Sequence, residues 1–245
     1  MIKAPNHFIM FNGQNLGDWG LHISGDKTFG APERDVEEVE VPGRDGTLTY
    51  DKGRFKNYTL EYDAGIVSDS ASDFDAKIAK LRAYLCSNYG YKRLEDTYHP
   101  DEYRMAKFVG GLDPEVTQLM GGSFTLSFDC KPQRFLKSGE DTYELSTSGS
   151  FYNFTDYAAK PLIRIYGSGE VEVGNYKVTI SNKPDTIDFI DVDSDLQDCF
   201  NDSLNCNEYV ALKSEEFPKL VTGNNNVTLG DGITKIVITP RWYTV

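Results

Sequence analysis

The first candidate for chemistry is Asp191-Val-Asp193-Ser-Asp195, the D-x-D-x-D opening of a calcium loop, with Asp202 at its twelfth position. Two positions argue against calcium. Leu196 occupies the sixth, where glycine permits the sharp turn, and Asp202 is shorter than the bidentate Glu such loops use. Ile187, Phe189 and Val192 read as strand residues leading into it, so an acidic strand end and turn is expected. His99, Asp101 and Glu102 would supply a base and two carboxylates, but they flank Pro100 in a connecting loop and no histidine follows His99 to complete a zinc set. The only other histidines are His7 and His22, and no G-x-S-x-G nucleophile elbow is present. Cys86, Cys130, Cys199 and Cys206 form no C-x-x-C pair and read as free thiols, buried or half-buried. For Cys199 and Cys206, the only two close in sequence, a disulfide or metal role is the alternative, disfavoured in a reducing cytosol and with no histidine after His99. Glu33, Asp35, Glu37, Glu38 and Glu40 offer carboxylates in number, yet so dense a cluster fits a solvated or interface-facing strand better than an acid-base pair. Gly167-Ser-Gly169 precedes a strand-like segment and reads as a hairpin turn, since a phosphate cradle needs a helix behind it. The expectation is a protein that is not an enzyme, with no catalytic residue, cofactor or metal site.

The passage around which the chain is organised lies elsewhere. In Val41-Pro-Gly-Arg-Asp-Gly46, Pro42 fixes φ and Gly43 and Gly46 bracket Arg44-Asp45, a tight turn between strands. A second turn is expected at Asp51-Lys52-Gly53. Leu48 and Tyr50, then Phe55, Tyr58, Leu60 and Tyr62, supply the apolar and aromatic positions of paired strands. The reading is a long protruding β-hairpin over about 41–63. An isolated two-stranded ribbon is marginal in water and exposes unpaired edges, so it calls for a partner. Pro42, Gly43, Arg44, Asp45, Gly46, Gly53, Arg54 and Phe55 are the candidate interface residues.

The chain of 245 residues is long enough for two domains with their own cores. Its 15 Tyr, 14 Phe, 22 Gly and 10 Pro suggest strands joined by turns, hence a mainly β fold. The formal net charge of -13 repels phosphates and anionic lipid, which argues against nucleic-acid and membrane-surface binding. No stretch approaches the apolar length of a membrane span. Met1-Ile-Lys-Ala-Pro-Asn-His7 lacks the apolar core of a secretory signal, so a protein made in the cytoplasm and staying there until something else releases it is expected.

Along the chain, His7–Phe11 and Trp19–Ser24 read as an opening hairpin and 27–32 as a loop. One helix is expected over Asp69–Asn88. Ser70 or Ser72 caps it, Asp73 and Asp75 sit in its first turn, Gly90 follows its end, and Phe74, Ile78, Leu81 and Leu85 share one face. Lys77, Lys80 and Arg82 fall on the wet side. Strands follow at Tyr91–Asp96, Tyr103–Val109 and Gly122–Cys130, the last closed by Lys131-Pro132. The polar run between Phe135 and Ser150 marks a boundary, giving domains 1–137 and 138–245. Beyond it, 159–167, 169–173, 176–180, 186–192 and 233–239 alternate with turns as in an antiparallel sandwich.

The order of these features resembles the phage distal tail protein (Dit) family, the baseplate hub of long non-contractile tails. The resemblance rests on V-P-G-R-D-G-x-L at 41–48, the Gly53-Arg54-Phe55 and Asn57-Tyr58 strand, the helix, and the Tyr91-Lys-Arg-Leu94 and Tyr103-Arg-Met-Ala106 strands. In the second half it continues through Asn153, Ala158–Gly167, Asp191-Val-Asp193, Phe217–Asn224 and Ile236–Trp242. It implies an N-terminal ring-forming, β-sandwich-like domain with one helix and the hairpin, then a C-terminal galectin-like antiparallel β-sandwich. It further implies a homohexameric ring in the virion tail tip. That ring joins the major tail-tube protein to the tail-associated fibre or lysin protein and to receptor-binding proteins, with DNA passing through its lumen unbound. Two other readings stand beside this one: a lectin-like tail protein for host-surface carbohydrate, and a tail-borne polysaccharide hydrolase. The galectin sugar signature is not met, for no histidine follows His99 and Trp242 is the only tryptophan of the second half.

Overall fold

The computed structural model describes residues 7–25, 30–116, 121–214 and 216–245. Positions 1–6, and 27–29 of the expected loop, lie outside them. Among the described residues the fold is mainly β with one α-helix, in two compact units, Met1–Arg134 with Val245 and Phe135–Thr244.

In the first unit the main sheet runs Gln14–Asn15, Ile9–Phe11, Lys92–Asp96, Glu102–Phe108, Gly121–Leu136, Tyr58–Val67, Leu21–Ser24. Its longest seam pairs Tyr58–Val67 with Gly121–Cys130, antiparallel, so Leu60, Tyr62, Ala64 and Ile66 lie beside Phe124, Leu126, Phe128 and Cys130 on the buried face. Ile9–Phe11 and Leu21–Ser24 do not form a hairpin with each other. Ile9–Phe11 pairs with Gln14–Asn15 and Lys92–Asp96, and Leu21–Ser24 with Tyr58–Val67. The two segments meet at one antiparallel bridge, His7 to Ile23, where the Ile23 N–H donates to the His7 carbonyl at 2.8 Å, after the 3-10 turn Leu16–Trp19, closed by Gly20 at φ 81°, has redirected the chain.

The helix spans Ala71–Ser87 and lays Phe74, Ile78, Leu81 and Leu85 into the core. Ser70 is the cap: its Oγ accepts the Asp73 N–H at 3.2 Å, and Lys77 pairs with Asp73 at 2.8 Å one turn on. Each of the four apolar side chains contributes roughly 1.5–3 kcal/mol of transfer free energy. Lys80 and Arg82 are exposed yet not idle, for the Lys80 ammonium sits 4.4 Å from the Trp19 ring centroid.

The Gly121–Leu136 strand runs straight through Pro132, where the sequence suggested an end. Its pairing with Tyr58–Val67 stops at Cys130, so the missing N–H of Pro132 breaks no bond of that ladder. The expected linker is structured as well: Tyr143–Leu145 pairs with Ile233–Thr239, and Gly149–Asn153 with Gly223–Leu229.

The second unit is built from two antiparallel sheets. One has the order Tyr143–Leu145, Ile233–Thr239, Leu162–Gly167, Phe189–Asp193, Asp198–Asn201, Leu204–Asn205; the other Gly149–Asn153, Gly223–Leu229, Gly169–Val173, Tyr176–Ile180, Val210–Leu212. Ile163, Ile165, Ile190, Val192, Ile236 and Ile238 of the first share a core with Phe151, Val171, Val173, Val178, Ile180 and Val227 of the second. Gly167-Ser-Gly169 is not a hairpin turn. The strands before and after it lie in different sheets, and Gly230-Asp-Gly232 makes the reverse crossing beside it. The Ser168 N–H donates to the Gly232 carbonyl at 3.1 Å, and a Cβ on Gly167 would stand 2.1 Å from that same oxygen. Only glycine lets the two corners approach so closely.

Candidate functional site

The hairpin exists with shifted bounds. Arg34–Glu40 pairs with Thr47–Phe55 around the turn 41–46, whereas Tyr58–Val67 belongs to the main sheet. At the tip the Arg44 N–H donates to the Val41 carbonyl at 3.1 Å, and Gly43 and Gly46 take φ of 81° and 79°. The expected turn at Asp51-Lys52-Gly53 is a bulge within the second strand. There the register jumps from Val36 opposite Asp51 to Arg34 opposite Phe55, Gly53 sits at φ 72°, and its N–H donates to Asp51 Oδ1 at 2.8 Å.

Ion pairs hold the bulged base. Arg34 donates to both Asp51 oxygens at 2.8–3.1 Å, and Asp35 accepts from Arg54 at 2.8 Å with Lys52 3.6 Å away. The Arg54 hydrogen bond outweighs desolvation and holds the Asp35 carboxyl below its ordinary range. Strand alternation gives the ribbon two unlike faces. Glu38 accepts from Thr47 and Thr49 on one, while Val39, Leu48 and Tyr50 stand exposed on the other. Tyr50 is 63% exposed and Leu48 48%, far from the burial such side chains reach in a core.

Of the candidate interface residues, Pro42, Gly43, Arg44, Asp45 and Gly46 gather at the tip. Gly53, Arg54 and Phe55 lie at the base, roughly 20 Å away at 3.3 Å per strand residue. All are exposed except the half-buried Phe55, whose ring lies under the Arg34 guanidinium at 4.8 Å. Sequence reading missed Val39, Leu48 and Tyr50 as one stripe, because their shared face depends on which strand pairs with 47–55. The i, i+2 spacing of Leu48 and Tyr50 was the visible signal.

The aspartates of the calcium-like segment are used internally. Asp191 receives Arg164 through Nε and Nη2, both at 2.8 Å, and Asp193 receives Arg241 through Nη1 and Nη2 at 2.7 and 2.8 Å. Asp195 instead meets Lys160 at 3.2 Å at the surface, and Asp202 turns the next hairpin at φ 51°. Among the described residues no three His, Cys, Asp or Glu side chains converge as a metal-holding group.

His99, Asp101 and Glu102 do not converge either. His99 turns inward to Asp96, Glu102 pairs with Arg134 at 2.6 Å, and Asp101 is exposed. Asp96 is the centre of a buried cluster that the sequence did not reveal. It accepts the Tyr62 hydroxyl at 2.7 Å, the His99 N–H at 2.8 Å and Arg104 Nη1 at 3.2 Å, while Arg104 Nε donates to the Tyr58 hydroxyl at 3.0 Å. Burial raises the Asp96 carboxyl, and these donors together outweigh it and hold the group below its ordinary range. With its carboxylate sealed in the core, the cluster pins strands together and offers nothing to a substrate. Trp242 is 3% exposed against Phe154, so it is no platform for a sugar ring.

Two sets of comparisons bear on this architecture. Residues 14–130, most of the first unit, match the family model of the phage tail protein RIFT-related domain. Across the whole chain, the fold is that of the SPP1 Dit protein (gp 19.1), described as a paradigm of the hub adsorption apparatus in Gram-positive infecting phages. The TM-score is 0.72 with 15% identity, covering 98% of this chain and 99% of that one. The chain thus carries a phage-tail domain match over residues 14–130 and, across its length, the fold of a Dit protein. A chain of the phage P2 baseplate in its activated conformation with Ca matches at TM-score 0.53 and 8% identity, over 95% of this chain and 96% of its own. The same baseplate with Sr matches at TM-score 0.54 and 8% identity over the same shares. No curated protein matches.

Proposed function

We propose that the protein is the hub of a tail baseplate, a non-enzymatic virion component that closes into a homohexameric ring. The ring joins the tail-tube protein to the tail-associated fibre or lysin protein and to receptor-binding proteins. The observation that carries this reading is the Arg34–Phe55 hairpin. It is a two-stranded ribbon with an exposed Val39–Leu48–Tyr50 face, and its outer edges have no strand partner among the described residues. A neighbouring copy that takes up these edges and covers this face would remove both liabilities, and a closed ring does so for every subunit. The fold shared with Dit supports the same reading. Assembly in the host cytoplasm and passage of DNA without binding belong to it.

The test is the assembly state of the purified protein. Sedimentation and negative-stain imaging are expected to give sixfold rings. A variant whose residues 34–55 are replaced by a short Gly-Ser turn remains folded and sediments as a monomer. The replacement is feasible because the Lys56 N–H already meets the Glu33 carbonyl at 2.8 Å. An intact protein that stays monomeric at every concentration, or a shortened one that still closes rings, would overturn the reading.

A further inference from the structure

The Asp198–Asn201 and Leu204–Asn205 strands form a small hairpin at the edge of their sheet, with Phe200 opposite Asn205 and Asn201 opposite Leu204. One rung further in, Cys199 stands opposite Cys206, and the Cys206 N–H donates to the Cys199 carbonyl at 2.8 Å. The Cys199 N–H turns instead to Asn207 Oδ1 at 2.8 Å. Directly opposed residues of an antiparallel pair have Cα atoms about 4.5–5.5 Å apart and side chains on the same face. Disulfides use Cα separations of about 4.4–6.8 Å. Both thiols are buried, at 2% and 0% exposure, in the same apolar cluster. Cys86 lies exposed on the helix and Cys130 in the core of the other unit, so the fold brings this one pair together.

We propose that Cys199 and Cys206 are a modification site, a dithiol that a small disulfide oxidant converts to a cross-strand disulfide. One thiolate attacks the oxidant, forming a mixed disulfide and releasing one thiol. The second thiolate then attacks the protein sulfur of that bond and releases the other. The protein loses two protons and two electrons, and the oxidant takes them up as two thiols. Burial, with Asp198 and Cys206 adding to it, pushes the Cys199 thiol up to about 12, so the closed hairpin resists attack. Reaction goes through opening of the edge hairpin. Its tip, with Asp202 at φ 51° and Leu204 53% exposed, belongs to the least buried part of the second unit's strands. The bond closes only a short loop, so it pins the tip and adds little to global stability.

The experiment uses the full chain carrying Cys86→Ser, which removes the exposed thiol. The protein is held with oxidised glutathione at mildly alkaline pH, unfolded, alkylated with iodoacetamide, and mapped by mass spectrometry. The expected product is a linked Cys199–Cys206 peptide, two hydrogens lighter than its reduced form, with Cys130 alkylated. Cys199→Ser and Cys206→Ser, each in the same background, are expected to stop at a glutathione adduct on the remaining partner. If both thiols stay alkylatable in the parent, or if the single variants take the adduct while the parent forms no link, the proposal is overturned.

Discussion

Arg241 and Asp193 meet fork to fork, Nη1 to Oδ1 at 2.7 Å and Nη2 to Oδ2 at 2.8 Å, although 48 residues separate them in the chain. The same Oδ1 also accepts the N–H groups of Asp195 and Leu196, at 2.9 and 3.0 Å. A carboxylate at the third position of a calcium-like loop is thereby committed to tying the turn at Arg241 to the Phe189–Asp193 strand.

Removing one partner of such a pair strands a buried charge. Arg241→Ala is expected to lower unfolding stability by about 3–5 kcal/mol in urea denaturation. Millimolar calcium is expected to leave the melting temperature unchanged. A loss under about 1 kcal/mol, the range of exposed pairs, would show that the pair is wet in solution.

Asp96 and Asp193 both have folded-state pKa values below the ordinary 3.8, burial opposing the shift and their donors outweighing it. A carboxyl depressed by folding stabilises the fold above its unfolded pKa, and that contribution is lost as pH falls through the folded one. Stability from these two groups is therefore expected to hold from neutral pH to about 5 and to fall below about 4. Urea midpoints measured between pH 7 and 3 check it. Asp193→Asn is expected to flatten the acid limb, and an unchanged slope would rule Asp193 out as a source.

What the sequence could disclose followed from how local each signal is. The Ala71–Ser87 helix carries its cap, its charges and its apolar spacing within a few turns, and was readable to within two residues at each end. Strand pairing is a long-range property. Leu48 and Tyr50 alternate visibly and the turn at 41–46 points to the acidic strand before it, yet the second turn signal at 51–53 points as well to 58–62, and only the pairing itself separates 34–40 from 58–67. The glycine corners at 167–169 and 230–232 look like hairpin turns because the distinction lies in which sheet receives the next strand. Gly223–Leu229 escaped notice because Asn224-Asn-Asn226 reads as a loop. Its buried Asn225 spends its amide on the carbonyls of Val221 and Gly223, at 2.8 and 3.1 Å, and so is satisfied in the core. The Asp96 cluster draws on positions 58, 62, 96, 99 and 104, a spacing no local motif encodes.

Leu81 is fully buried beneath the helix. Leu81→Ala is expected to cost about 2–5 kcal/mol, the range for leaving a partly collapsed cavity. Chemical denaturation measures it, and an unchanged midpoint would mean that the helix docks less tightly than its buried face requires.

Gly167 combines a φ of 99° with a carbonyl where a side chain would go. Gly167→Ala is expected to destabilise by more than about 1–3 kcal/mol, since backbone strain and displacement of the facing corner add. Gly43→Ala serves as the control: it shares a positive φ, but nothing lies within 4 Å of its would-be Cβ. It is expected to lose less, and equal losses would remove the close approach as the cause.

The last expectation concerns DNA. A ring that lets a genome pass must hold few phosphates, because each Lys or Arg that neutralises one adds salt-dependent retention. The chain's net charge of -13 favours this. The crowding of Glu33, Asp35, Glu37, Glu38 and Glu40 on the hairpin does so more weakly than their number suggests. Between 33 and 56 there are seven acidic and five basic side chains, and Asp35 and Asp51 are matched by Arg54 and Arg34. Glu37 and Glu40 remain exposed at the end nearer the tip. If this segment faces the lumen, the passage is neutral to mildly acidic. Duplex DNA is then expected to show no retention by the purified assembly in a gel-shift series at physiological salt. At about tenfold lower salt, where screening weakens, repulsion grows and retention does not appear. Tight binding that strengthens as salt falls would place Lys and Arg along the channel and remove the hairpin from it.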